Sequence, residues 1–233
     1  MAVMQSAPAQ LDHLVVLAAD LASGVRWCER TLGVTPDAGG EHPLMGTHNR
    51  LINISSAAHP RAYLEIIALH PGVQPTREAG KKRWFDMDDP RLMQRVATSG
   101  PQLIHWVASV PDLAASHAAW QALDIDRGRM LQASRPTAQG LLEWQITVRD
   151  DGQRLFDGCL PTLIEWGAAH PCAHLPARGV QLQHLQIAHA QAAPLQAALA
   201  VAHIPDAHID VAFSDAPALR AQLSTPKGMV ELL

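Results

Sequence analysis

The chain has 233 residues, a formal net charge of −4 with neutral His, and an apolar share of 48%. That fits an ordinary soluble globule with room for one large domain or two small ones. The cations between Arg77 and Arg83 are interrupted by Glu78 and lack interleaved aromatic residues, which argues against nucleic-acid binding. Cys28, Cys159 and Cys172 form no CxxC pair, so buried thiols in a reducing, cytoplasmic setting are expected rather than a disulfide framework or thiolate zinc site. Residues 1–10 lack the basic start and apolar stretch of a signal peptide. No run reaches the roughly 20 apolar residues needed to span a bilayer, so no membrane partner is expected.

In chain order, residues 11–18 read as a strand, and Asp20 caps a helix whose Leu21, Val25, Cys28 and Leu32 form one apolar stripe ended by Gly33. A glycine-rich loop over 37–48 has room for one short strand, and strands follow at 50–55 and 62–69. Residues 71–101 are a connector with a short helix at 90–98, for which Asp89 is the cap and Pro90 suits the first turn. The order then repeats: strand 103–110, a helix from Asp112 to Leu123, and strands 129–134, 141–149 and 160–166. Residues 170–179 are a proline-rich linker. A third, shorter unit places strands at 180–187, 208–213, 218–224 and 229–232 around a helix at 192–202. Such self-similarity points to repeated supersecondary modules, not a doubly wound sheet.

The repeat carries a chemical pattern. His13 lies in the first strand and Glu65 in the last strand of the first unit; His105 and Glu165 hold the matching places in the second. Each is flanked on its own strand face by apolar residues, which points it toward an interior or a pocket. Two His and two Glu would make one divalent-metal site if the units face each other, with Zn, Ni, Mn or Fe as candidate ions. A bland alternative pairs the glutamates with Arg and leaves the histidines as hydrogen-bonded core residues.

Other positions suit a small-molecule site. The loop around Gly40 and Gly46 concentrates His42, His48 and Asn49. Trp84, Phe85, Trp106, Trp144 and Trp166 could line an apolar pocket; Trp84 and Phe85, in the connector, are better candidates than Trp106 and Trp166, whose strand parity sets them opposite His105 and Glu165 and against helices. Arg135 is placed to hold an anionic group. His184 and Glu231 repeat the pattern weakly in the third unit and read as structural. The glycines match neither GxGxxG nor the P-loop spacing, so no nucleotide cofactor is expected, and no nucleophile elbow or Cys–base pair is visible.

The chain resembles the glyoxalase-like branch of the vicinal-oxygen-chelate superfamily, which also includes bleomycin-resistance proteins and extradiol dioxygenases. The likeness rests on Asp12-His13-Leu14-Val15-Val16 with Asp20, Gly39-Gly40-Glu41-His42-Pro43, Tyr63-Leu64-Glu65-Ile66-Ile67, Arg83-Trp84-Phe85, Leu142-Glu143-Trp144, Ile164-Glu165-Trp166-Gly167 and the 225–232 end motif. It implies an α+β fold: paired βαβββ modules at 11–70 and 102–168 forming a curved mixed sheet around a cleft, joined by the 71–101 connector, with a partial βαββ-like module at 179–233. It also implies metal ligation by His13, Glu65, His105 and Glu165, with Glu65 or Glu165 detaching as general base. The function it implies is a divalent-metal isomerase, lyase or dioxygenase acting on a small oxygenated compound. The alternative is a metal-free protein that binds or sequesters a small molecule. Both modules lie in one chain, so a monomer holds a whole cleft, with a homodimer through another surface left open.

Overall fold

The computed structural model describes residues 8–137, 140–205 and 207–233, and in it each of the first two repeats folds as strand, helix and three strands. The first comprises β1 (Gln10–Leu17), α1 (Leu21–Thr31), β2 (Asp37–His42), β3 (Thr47–Asn53) and β4 (Tyr63–Leu69). After α2 (Pro90–Ser99) come β5 (Gln102–Ser109), α3 (Leu113–Gln121), β6 (Arg129–Thr137), β7 (Gly140–Val148) and β8 (Thr162–Trp166). The helices start where short polar side chains cap them. Asp20 and Ser23 form a capping box on α1, Asp89 accepts from Arg91 N ahead of Pro90, and Asp112 accepts from Ala115 N.

All eight strands form one curved sheet in the order β2-β3-β4-β1-β5-β8-β7-β6. Within each module the first and last strands pair in parallel, and antiparallel β1 and β5 form the seam between modules. The seam is interrupted twice: Leu11 and His13 face Ala108 and Val107, leaving Asp12 as an extra residue, and Val15 and Val16 face His105 and Leu103, leaving Ile104 extra. These β-bulges immediately precede the two inward histidines and re-aim the local backbone.

Both faces of the sheet are buried. The convex face packs Leu14, Val16, Trp106 and Leu163 against Trp120 of α3 and the C-terminal unit. The concave face packs Val15, Ile67, Val107 and Ile164 against Trp84, Phe85, Leu92 and Val96 of the connector and α2. Each such aliphatic or aromatic side chain contributes about 1.5–3 kcal/mol on burial. The connector thus plugs one end of the concavity and leaves a small space beside β1, β3 and β4.

The C-terminal unit contains β9 (Gln181–His189), α4 (Ala192–Val201), β10 (Ile209–Phe213), β11 (Ala218–Thr225) and β12 (Gly228–Leu232). Its sheet runs β10-β9-β11-β12, so the strand after the helix pairs directly with the strand before it, unlike the two modules. It docks through Trp120 Nε1, which donates to Ala198 O at 2.7 Å, and Leu182 N, which donates to Ile54 O at 2.8 Å. Here His184 meets Asp210 at 2.6 Å and Glu231 lies 3.7 Å from Arg220, away from the concave face. Among the described residues no helix is long and apolar enough to cross a membrane.

Candidate active site

The bulge at Asp12 builds the deepest part of the cleft. It sets the Asp12 carboxylate beside the ring of the next residue, and Asp12 Oδ1 lies 2.6 Å from His13 Nδ1. On its other oxygen Asp12 accepts from Trp166 Nε1 at 2.8 Å and faces His170 Nε2 at 3.0 Å. Cys172 N donates to His170 Nδ1, so the neutral ring carries its proton on Nε2 and gives it to Asp12. Burial opposes the charge of Asp12, but the hydrogen bonds and charges of His13 and His170 outweigh it and hold the carboxyl well below its usual range. An ionised Asp12 fixes the His13 proton on Nδ1 and turns Nε2 toward the cleft.

Across from it stands Glu65, whose Oε2 is 3.7 Å from His13 Nε2. Asn49 Nδ2 donates to Glu65 Oε1 at 2.5 Å, and Asn49 Oδ1 in turn accepts from Gly40 N at 2.7 Å. The backbone therefore decides which way the amide points. Gly39 is required there: a Cβ on it would stand 2.1 Å from Asn49 Oδ1.

His13, Glu65 and Asn49 share an inner chamber with His42, Tyr63, Trp84, Phe85, Arg135, Trp144 and Trp166. His13 stacks on Tyr63, His42 meets the edge of Trp84, and Trp84 stacks on Phe85. Phe85 and Asp86 both take positive φ, a backbone cost of roughly 1–2 kcal/mol per residue. Arg154 Nε, donating to Asp86 at 2.9 Å, holds that turn. Desolvation, followed by the charges of Arg135, His13 and His48, pushes His42 down to about 3, so this half-buried ring is neutral at physiological pH. The chamber continues past Leu51, Arg135, Leu142 and Pro171 into an outer groove of about 670 Å³. Arg135 reaches across from β6 to lie against Gly40 of β2, and its buried Nε and Nη1 have no hydrogen-bond partner.

The residues of the second module lie elsewhere. His105 shares the concave face with Val15, but its ring is fully engaged, with Nδ1 3.0 Å from Gly158 O and Nε2 2.9 Å from Thr162 Oγ1. Glu165 is on the convex side, where Oε2 accepts from Leu113 N at the start of α3. The expected four-ligand cluster is therefore not assembled, and among the described residues no group of three or more His, Cys, Asp or Glu is placed to hold a metal ion. The reason lies in strand register. In the first module Val15, two residues after His13, pairs with Glu65, whereas in the second Val107, two after His105, pairs with Thr162. Thr162 thus takes the place of Glu65, and Glu165, three residues on, points to the other face.

Two other expectations need correction. His48 is not in the chamber; its ring packs on His70 with centroids 4.5 Å apart, because Thr47 and Asn49, its strand neighbours, take the inward parity. Trp166 does not pack on helices but lines the chamber, since it alternates with the outward Glu165. Trp106 does sit in the convex core, its Nε1 donating to Cys159 O. Trp144 lines the chamber as its aromatic character suggests, whereas Asp12, Tyr63 and His170 join the site without being candidates in the sequence; the one signal for Asp12 is an acidic residue directly before an inward His in an apolar strand. The thiols take no part: burial pushes Cys28 and Cys172 up to about 12 and Cys159 up to about 11.

A family model described as a glyoxalase-like domain matches residues 11–202. The chain belongs to that family. The glyoxalase-like protein is accordingly a member of the vicinal-oxygen-chelate superfamily. Among solved structures, a hypothetical protein from Staphylococcus aureus shares 13% identity and a TM-score of 0.55, covering 96% of this chain and 84% of that one. That likeness establishes the fold over nearly the whole chain. Methylmalonyl-CoA epimerase from Streptomyces coelicolor, in complex with 2-nitronate-propionyl-CoA, is 18% identical over 69% of this chain and 96% of that one, with a TM-score of 0.41. The epimerase from Mycobacterium tuberculosis is 15% identical over 70% and 90%, with a TM-score of 0.40. Comparison with functionally curated proteins finds no match.

Proposed function

We propose that this glyoxalase-like protein is an isomerase or lyase that moves a proton on a small oxygenated organic anion held in the cleft. The observation that carries the reading is the enclosed pair of His13 Nε2 and Glu65 Oε2, 3.7 Å apart, in a chamber that also holds the unpartnered nitrogens of Arg135. Arg135 takes the carboxylate or another anionic oxygen of the substrate, since charged donors left unpaired in a protein interior are costly. Trp84, Phe85, Trp144 and Trp166 supply apolar walls that exclude water, while neutral His42 stands beside Arg135 as a polar contact. His13 Nε2, presented by Asp12, takes the proton from a carbon next to a carbonyl. Glu65, oriented by Asn49 and 3.7 Å from that nitrogen, receives the proton from the His13 imidazolium, which becomes neutral again, and returns it to the neighbouring position. The positive charge of Arg135 favours the electron-rich species in between.

A divalent ion of the kind the family resemblance implies would find two donors here, His13 and Glu65. The other two expected ligands are committed to Thr162, Gly158 and α3, so no step is routed through a metal. A second reading, a metal-free binding protein, is favoured by Arg135 itself, because satisfying those nitrogens requires only capture.

One experiment separates the readings. A panel of 2-oxo and 2-hydroxy carboxylates is incubated with the protein in D2O, with a chelator or with Zn, Ni, Mn or Fe, and carbon-bound proton exchange is followed by NMR. Exchange in the chelator arm that disappears in Glu65→Gln, with ligand binding retained, is the expected result. Exchange only with metal would return the ion to the mechanism. Binding without exchange in any arm would identify a sequestering protein.

A further inference from the structure

Behind the Trp84–Phe85 wall lies a second, smaller cavity that the proton chemistry does not use. It is lined by Trp84, Phe85, Arg127, Thr147, Gln153 and Thr162, among others, and has about 10 Å³, room for a single compact occupant. Arg127 is 3% exposed. Its Nη2 donates to Thr162 Oγ1 and its Nη1 makes a long 3.4 Å contact with Gln153 O, but its buried Nε has no partner. Because Thr162 and Gln153 both border the cavity, the guanidinium between them faces it. Trp84, which lines both this cavity and the chamber, has its Nε1 buried without a partner.

The acceptors that the hydrogen bonds place beside Arg127 are already engaged. His105 gives its Nδ1 proton to Gly158 O, which leaves Nε2 as the acceptor for the Thr162 hydroxyl proton, and Thr162 Oγ1 already accepts from Arg127. Thr147 Oγ1 accepts from Leu163 N, so its own hydroxyl proton is available to donate. Among the described residues no carboxylate hydrogen-bonds to Arg127; Asp86, Asp126 and Asp151 act on it only at a distance, and Arg149 opposes its charge. Desolvation pulls the group down to about 9, which leaves it cationic at neutral pH. A buried cation among unused donors lacks a negative charge.

We propose that this cavity is a binding site for one small monovalent anion of halide size, held by Arg127 Nε, the Trp84 indole N–H and the Thr147 hydroxyl. The anion neutralises Arg127 and braces the wall that separates it from the proton-transfer chamber. The site is independent of which reaction the chamber performs.

The test compares thermal unfolding in sodium chloride, bromide and gluconate at equal ionic strength. In chloride and bromide, but not gluconate, Tm is expected to rise by roughly 3–5 °C per tenfold increase above the dissociation constant. Arg127→Met, which keeps the bulk and removes the charge, is expected to abolish the dependence. Crystals grown in bromide should show an anomalous peak within hydrogen-bond reach of Arg127 Nε and Trp84 Nε1, a readout that holds even if the variant does not fold. Identical Tm in all three salts, with no bromide peak and an ordered water in the cavity, would overturn the proposal.

Discussion

The two modules began from the same plan and kept different chemistry. In each, a bulged residue precedes an inward histidine on the seam, and the strand that pairs in parallel brings a side chain up to that ring. In the first module the bulged residue is Asp12 and the facing side chain Glu65; in the second they are Ile104 and Thr162. The first ring is oriented by a carboxylate and keeps Nε2 directed at an enclosed cleft. The second has neither feature: its nitrogens are spent on Gly158 O and Thr162, and burial, with the charges of Arg127 and Arg154, holds it well below its usual range. A neutral, doubly engaged imidazole is a structural element. The same fold position can therefore serve chemistry on one side of the seam and packing on the other, with register deciding which.

Breaking the active half should cost most. Glu65→Gln removes what is, among the described residues, the only carboxylate facing His13 Nε2 from the chamber, and turnover should fall by about 10²–10⁴-fold, the usual worth of a positioned acid or base, with ligand binding measured by calorimetry little changed. Asp12→Asn attacks the same ring from behind and should also lower turnover, by about 10²-fold. It has a second signature. Because the folded pKa of Asp12 is depressed, its stabilising contribution is complete above the ordinary value of 3.8 and is lost as pH falls further toward the folded value. The gap in Tm between wild type and Asp12→Asn should therefore stay constant from pH 7 to about pH 5 and narrow below about pH 4.

Changes in the second module should read as stability instead. Thr162→Val strips a partner from both His105 and Arg127 and should lower the unfolding free energy by about 1–3 kcal/mol, while proton exchange on the substrate continues. Smallest of all, Glu165→Gln keeps the acceptor for Leu113 N but loses the charge at the start of α3. It should cost about 0.3–1 kcal/mol in a denaturant titration and leave turnover intact. A Glu165→Gln variant as inactive as Glu65→Gln would join the two halves into one site.

The order of elements could be read in the sequence because capping residues, glycine stops and apolar periodicity all agree. Asp20, Asp89 and Asp112 open helices where expected, and the short strand suspected in the 37–48 loop is β2. Trp84, Phe85, Arg135, His42 and Asn49 could be gathered from their polar or aromatic character in irregular segments. Facing was harder. Glu65 and Glu165 have equally apolar neighbours, yet both sheet faces are buried, one under helices and one under the connector, so apolar flanks cannot tell cleft from core. Bulges at Asp12 and Ile104 shift parity by one residue without a glycine to announce them, which is why Leu103 and His105 do not share a face. The contributions of Trp166 and His170 depend on contacts more than 150 residues apart in the chain, which no local pattern encodes.

The division of labour between His13 and His105 can be observed directly by long-range 15N–1H NMR of the imidazoles, recorded from pH 8 to pH 5 with and without Zn or Ni. His105 is expected to remain a neutral Nδ1–H tautomer throughout and to be indifferent to the ion, while His13 carries its proton on Nδ1 and alone responds to ligands of the cleft. Joint movement of both rings on adding the metal, with His105 Nε2 showing the shift of a coordinated nitrogen, would contradict the account.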